Sequence, residues 1–321
     1  MLGNQREKDN PNRDTTMTSS LRNLKQFLKL SRPIFLIGGA LLFGLGAAIA
    51  TFLGYPVDAG VYIIGQAMIS LIQLMTQYLN EYFGAKADRD NSNRTLFSGG
   101  SGVLGPDGLP RQVALYAAIT CVAIVGTLVS VSVFHNLIPL TAWLILILIF
   151  VGAYFYNAPP LRLISSGYGE ITTSILVAFL LPSFNFALQA GKLDRLVLIS
   201  TIPLVALHFA MMIVLQLPDY ASDLKYEKQT LMVRLGWSMA MRLHDIAILL
   251  ATGSLIVAYL NGLPQRVAFG SVIALPLALA QIWQMDRIRR GYPARWQTLT
   301  FSAVGLFSLA AYLQLVGYLY R

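Results

Sequence analysis

The sequence predicts an all-α integral membrane protein, with nine transmembrane helices around a central cavity open to the cytoplasmic side. Three observations carry that expectation. Hydrophobic residues make up 55% of the 321 positions and charged ones only 12%, for a mean hydropathy of +0.59. A soluble domain of this length needs more polar surface than that. The apolar residues gather in stretches near the roughly 20 needed to cross the hydrocarbon as a helix. Finally, Lys and Arg collect at alternate ends of those stretches.

Residues 1–20 are polar and carry no apolar h-region, so they are expected to form a disordered cytoplasmic tail. Residues 21–321 read as one transmembrane domain. It opens with a short interfacial helix over 21–31, where "LRNLKQFLKL" sets Leu21, Leu24, Phe27 and Leu28 on one face and Arg22, Lys25 and Lys29 elsewhere. Nine spans follow, at 34–53, 59–82, 112–134, 137–155, 169–189, 196–217, 240–260, 266–284 and 298–320. With the N-terminus inside, every Lys and Arg falls on the cytoplasmic side except Lys192, Arg195, Arg266 and Arg321, out of 24. The net charge of +9 therefore reads as topology in a cytoplasmic membrane and contact with anionic lipid, not as a nucleic-acid footprint. Cys121, the single cysteine, excludes disulfides and cysteine metal sites.

Two polar stripes interrupt this apolar pattern. Gln73, Gln77, Asn80, Gly84 and Asp88 recur every three to four residues along the second span and past its end. Along the sixth, His208, Met212, Gln216, Asp219 and Asp223 do the same, with Pro218 implying a break that starts a new short helix. Polar stripes of this kind are costly against lipid, so both are expected to line an internal cavity. Each ends in carboxylates beside cations, Lys86 and Arg94 in one case and Lys225 and Lys228 in the other. Magnesium is held by one or two carboxylates together with substrate phosphates, while Lys and Arg neutralise the remaining phosphate charge. The residues thus point to a magnesium diphosphate whose apolar tail lies in the membrane.

At these positions the chain resembles the UbiA superfamily of intramembrane prenyltransferases, with an N-D-x-x-D-x-x-x-D motif after the second helix and D-x-x-x-D after the sixth. "DYASD" matches the second motif in full. In the first, Asn80 and Asp88 match, Glu81 replaces an Asp, and Gly84 stands where the middle Asp is usual. "LPDYASDLKYEKQTLMVRLG", "NRTLFSGGSGVL" and "GYGE" are similar to the branch that prenylates 1,4-dihydroxy-2-naphthoate in menaquinone synthesis.

The resemblance implies Mg2+-dependent transfer of a polyprenyl group from its diphosphate to an aromatic acceptor. Asn80, Glu81, Asp88, Asp219 and Asp223 would be the catalytic set, with Asn80, Asp88, Asp219 and Asp223 on the metal. Lys86, Arg94, Arg162, Lys225 and Lys228 would bind diphosphate. The substrate cavity would be lined by Gln73, Gln77, Tyr82, Tyr154, Tyr156, Glu170, His208 and Gln216, the tyrosines steadying an allylic cation. "FSGGSGVLGPDGLP", rich in Gly and Pro, is expected to be a loop that closes over the diphosphate. A non-catalytic isoprenoid-binding relative, suggested by Gly84, and a transporter are the competing readings.

Overall fold

The computed structural model describes residues 11–106 and 108–320, with side chains described from Leu21 onward. Among the described residues there is no named strand. Helix α1 (Pro11–Leu30) precedes the membrane domain. It starts ten residues before the expected interfacial helix, so residues 11–20 are helical where a disordered tail was expected, and residues 1–10 lie outside the described part.

The spans follow the apolar stretches. They are α2 (Ile34–Phe52), α3 (Ala59–Arg89), α4 (Arg111–Phe134), α5 (Leu140–Asn157), a fifth span assembled from α6 (Gly169–Ser174), a π-helical segment and α7 (Leu181–Ala190), then α8 (Arg195–Gln216). The sequence then forms a 3-10 turn at Leu217–Asp219, α9 (Tyr220–Lys225), α10 (Leu231–Leu235) and α11 (Trp237–Leu260). The last two spans are α12 (Gln265–Val272) with α13 (Leu275–Arg289), and α14 (Trp296–Leu319). Among the described residues eight helices are long and apolar enough to cross a membrane, and the pair α12 and α13, bent by 40°, brings the count to nine when taken as one span. That ninth span was expected to be continuous. Pro276 lies in the first turn of α13, where its ring fits a helix start but not a helix interior, so the chain bends there.

Local chemistry explains the ends that matter. Asp58 caps α3 by accepting from the Val61 N–H, and Asp194 and Thr230 cap α8 and α10 in the same way. At 31 residues, α3 is about 46 Å long, well beyond the ~30 Å of hydrocarbon. Its last turns therefore project past the apolar core, carrying Asn80 to Asp88 with them. Along α5, Leu140, Leu144 and Leu148 are exposed at successive turns, as expected of a face that meets lipid.

Between helices the packing combines aromatic bulk with polar ties. Phe43, Phe184 and Phe186 are fully buried. Asn185 donates to the Phe43 carbonyl (2.7 Å), joining α7 to α2, and Asn157 donates to the Thr76 carbonyl (2.8 Å), joining α5 to α3. Ser200 and Tyr318 share a 2.6 Å hydrogen bond between α8 and α14. Inside hydrocarbon such bonds are each worth roughly 1 kcal/mol and fix which faces meet.

Candidate active site

The ends of α3 and α8 come together, and short bonds fix their register. Ser222 in α9 donates to the Ala87 carbonyl of α3 (2.8 Å). Asn91, just past α3, donates to Asp219 Oδ1 (2.6 Å). Further out, Asp90 Oδ2 accepts from Lys225 Nζ and the Tyr226 hydroxyl, each at 2.5 Å. Asp88 is thereby held opposite Asp219 and Asp223, although more than 120 residues separate them in sequence.

Cations balance this acidic cleft. Lys228 Nζ lies 3.0 Å from Asp223 Oδ1. Burial pulls its ammonium down, but Asp223, Asp88 and Asp219 outweigh that pull and leave its pKa above the ordinary lysine value. Arg32, between α1 and α2, is the second cation. Burial depresses its guanidinium, while the nearby charges of Glu81, Asp88 and Asp219 oppose that effect. Arg32 also stacks 4.6 Å over the ring of Phe35.

The glycine-rich loop lies directly on this cleft. Arg94 donates from Nε to the Gly99 carbonyl (2.6 Å) and from Nη2 to the Asp88 carbonyl (2.5 Å). Gly100 has φ +70°, and a Cβ there would lie 2.5 Å from Asp88 Oδ2. Only glycine permits both the left-handed backbone and that approach. On the opposite side of Asp88, a Cβ at Gly84 would lie 2.9 Å from the same oxygen. The carboxylate of Asp88 thus occupies the room that the missing motif side chain would need.

Several expected site residues have other partners. Both oxygens of Glu81 are engaged by Ser101, whose N–H donates at 2.6 Å and whose hydroxyl donates at 2.7 Å. Glu81 therefore anchors the loop instead of facing a metal. Lys225 turns outward to Asp90, Lys86 is exposed beside the Tyr226 ring, and Arg162 is exposed near Phe83. Tyr82 is covered by Arg111, 3.9 Å above its ring, and Tyr154 lies on an exposed face of α5. His208 shares a 3.0 Å hydrogen bond with Ser174 and packs edge-on against Phe307, which makes it a tie between helices.

Beneath the carboxylates the interior remains polar. Gln73, Gln77, Gln216 and Glu170 each keep a buried side-chain oxygen that no described residue satisfies. The other oxygen of Glu170 accepts from the Leu231 N–H at 2.9 Å, which aims the carboxylate inward. Tyr156 is half-buried on the same helix as Tyr154. Orphaned acceptors of this kind suit a ligand that brings hydroxyl donors.

Residues 40–309 match the model of the UbiA prenyltransferase family. This chain belongs to that family. It is a multi-pass membrane prenyltransferase. The 1,4-dihydroxy-2-naphthoate octaprenyltransferase of Bacillus subtilis (strain 168) is 24% identical over 235 residues, covering 72% of this chain and 70% of that protein. Among solved structures, a UbiA homologue from Archaeoglobus fulgidus bound to GPP and Mg2+ superposes with a TM-score of 0.63 at 14% identity, over 91% of this chain and 99% of that one. A structure of digeranylgeranylglyceryl phosphate synthase gives 0.63 at 15% identity, over 93% and 99%. At such identities these structures speak for the fold.

Hard oxygen donors from Asp88, Asp219 and Asp223, with Asn80, suit magnesium. Among the described residues no three acidic or imidazole side chains converge on one point that could hold an ion unaided. A magnesium ion held there would need phosphate oxygens to complete its coordination.

Proposed function

We propose that this enzyme transfers a polyprenyl group from its diphosphate to 1,4-dihydroxy-2-naphthoate, with Mg2+, at the face where α3 and α8 end. The observation that carries this reading is the joining of the two acidic segments over a polar interior, through the bonds of Ser222 to Ala87 and Asn91 to Asp219. The likeness to the Bacillus subtilis naphthoate octaprenyltransferase supports the acceptor.

Asn80, Asp88, Asp219 and Asp223 would hold the metal, which when bound supplies positive charge against the leaving diphosphate. Lys228 and Arg32 bind its remaining oxygens directly. Arg94 fixes the loop over Asp88, so ionisation proceeds away from bulk water. The half-buried ring of Tyr156 offers an aromatic face to the allylic cation. Glu170 and Gln216 accept from the acceptor's hydroxyls, turning its electron-rich carbon toward the prenyl group. Glu170 also takes up the proton released when the new C–C bond replaces a ring C–H bond, and that proton returns to the ring as the acceptor's carboxylate leaves as CO2, giving the prenylated naphthoquinol.

The bias of the basic residues supports a cytoplasmic N-terminus, with this face on the cytoplasmic side of the cell membrane. Residues 21–321 act as a single domain. Purified protein given magnesium, geranylgeranyl diphosphate and 1,4-dihydroxy-2-naphthoate should yield a prenylated naphthoquinol by mass spectrometry. Prenylation of 4-hydroxybenzoate alone, from parallel incubations, would overturn the acceptor.

A further inference from the structure

Outside the cleft, a cavity of about 480 Å³ opens between α1, the end of α3 and the outer side of the glycine-rich loop. Arg22, Lys25 and Lys29, at i, i+3 and i+7, present one face of α1 to it. Arg89 closes one wall, and the backbone from Gly102 to Pro106 closes another. Among the described residues none of these four cations pairs with a carboxylate. Asp107 is the single acid in residues 98–110 of the sequence, so positive charge remains in excess even when it is counted in full.

The neighbouring stripe of α1 has the opposite character. Leu21, Leu24 and Leu28 are exposed by 55%, 54% and 56%. A helix with such a stripe settles at the membrane interface with its leucines among the acyl chains, which sets the basic face at headgroup depth. The loop is shared between the two sites. Its inner side rests on Asp88 through Gly100 and on Glu81 through Ser101, and the residue after Ser101 already faces the basic cavity.

We propose that this cavity binds the phosphate-bearing headgroup of an anionic phospholipid, and that the bound headgroup holds the loop closed over Asp88. A headgroup bridging α1, Arg89 and the loop links three segments that no described salt bridge connects. Lipid, not free phosphate, is the ligand because the exposed leucines bring the acyl region alongside. The proposal concerns binding and loop order, and stands whatever the acceptor of the transfer reaction.

The test is hydrogen exchange of the amides from Gly99 to Val103 in the full chain. The protein is reconstituted in phosphatidylcholine vesicles, in 4:1 phosphatidylcholine:phosphatidylglycerol vesicles, and in phosphatidylcholine with added inorganic phosphate. Exchange should slow at least about fivefold with phosphatidylglycerol, and not with phosphate. The triple variant Arg22→Gln/Lys25→Gln/Lys29→Gln should lose that response, whereas Arg242→Gln/Arg287→Gln/Arg295→Gln, which removes equal charge elsewhere, should keep it. Equal exchange in all vesicles, an equal loss in both variants, or full protection by phosphate alone would each overturn the proposal.

Discussion

The carboxylate of Asp88 is confined between two glycines, and that confinement makes its neighbourhood intolerant of even a methyl group. Gly100→Ala adds both a strained φ of +70° and a Cβ at 2.5 Å from Oδ2. Turnover should fall more than tenfold, because Asp88 must turn away or the loop must lift. Unchanged turnover in a folded variant would contradict the packing described. Glu81 belongs to the same scale. Its two bonds to Ser101 fasten the loop to α3, so Glu81→Gln, which turns one of the two acceptors into a donor, should loosen the loop and raise diphosphate hydrolysis relative to transfer. Product partitioning between prenyl alcohol and prenylated acceptor reads this directly. Lys228 sets a third expectation. Its folded pKa lies above the ordinary value, so its contribution is fully present below that value and is lost only as pH rises through the folded one. Without magnesium, whose binding would neutralise the neighbouring carboxylates, diphosphate affinity should therefore stay level from about pH 7 to about pH 9, and a fall inside that window would remove Lys228 from the binding role.

At the scale of elements, the two stripes were legible because helical spacing turns a list of residues into a face. Gln73 to Asp88 and His208 to Asp223 could be placed on interior faces without knowing how α3 and α8 pack. Side-chain direction past the helix ends was not legible. Lys225 and Lys228 are three residues apart, yet one pairs outward with Asp90 and the other inward with Asp223, because α9 ends between them. Tyr154 and Tyr156 lie about 200° apart on α5, so only one of them can face the cavity, and the spacing alone could have said so. Arg32 was missed for another reason. It sits nearly fifty residues before the first motif and counts as a topology cation until the fold carries it to Glu81 and Asp88. Its one sequence signal was its position against Pro33 at the mouth of the first span. The join between elements is itself testable. Ser222→Ala removes the bond to Ala87 and should cost about 1 kcal/mol, visible as a lower Tm with the same secondary structure.

For the whole molecule, composition and charge bias gave the class and a span count of nine, against the eight to nine that the described helices support, while the break at Pro276 in the last-but-one span and the helix over residues 11–20 escaped them. Orientation is the expectation that belongs to this scale. In a Cys121→Ser background, Ser92→Cys should react with an impermeant maleimide in inside-out vesicles, and Lys192→Cys in right-side-out ones. The reverse pattern would invert the topology and place the carboxylate cleft on the wrong side for a cytoplasmic diphosphate. The departure at Gly84 leaves the cleft one carboxylate short of the family motif, with Asp88 lying where that side chain would begin.

The central claim is that Asp88 and Asp219, from segments far apart in sequence, act as one magnesium-diphosphate clamp. Calorimetric binding of geranylgeranyl thiodiphosphate, with and without magnesium, tests it through Asp88→Asn, Asp219→Asn and the double variant. Each single change should lower magnesium-dependent affinity at least tenfold, about 1.4 kcal/mol, and the double should lose little beyond the worse single, as expected of residues that act together. Independent, additive losses, or magnesium-dependent binding that survives in either single variant, would contradict the clamp.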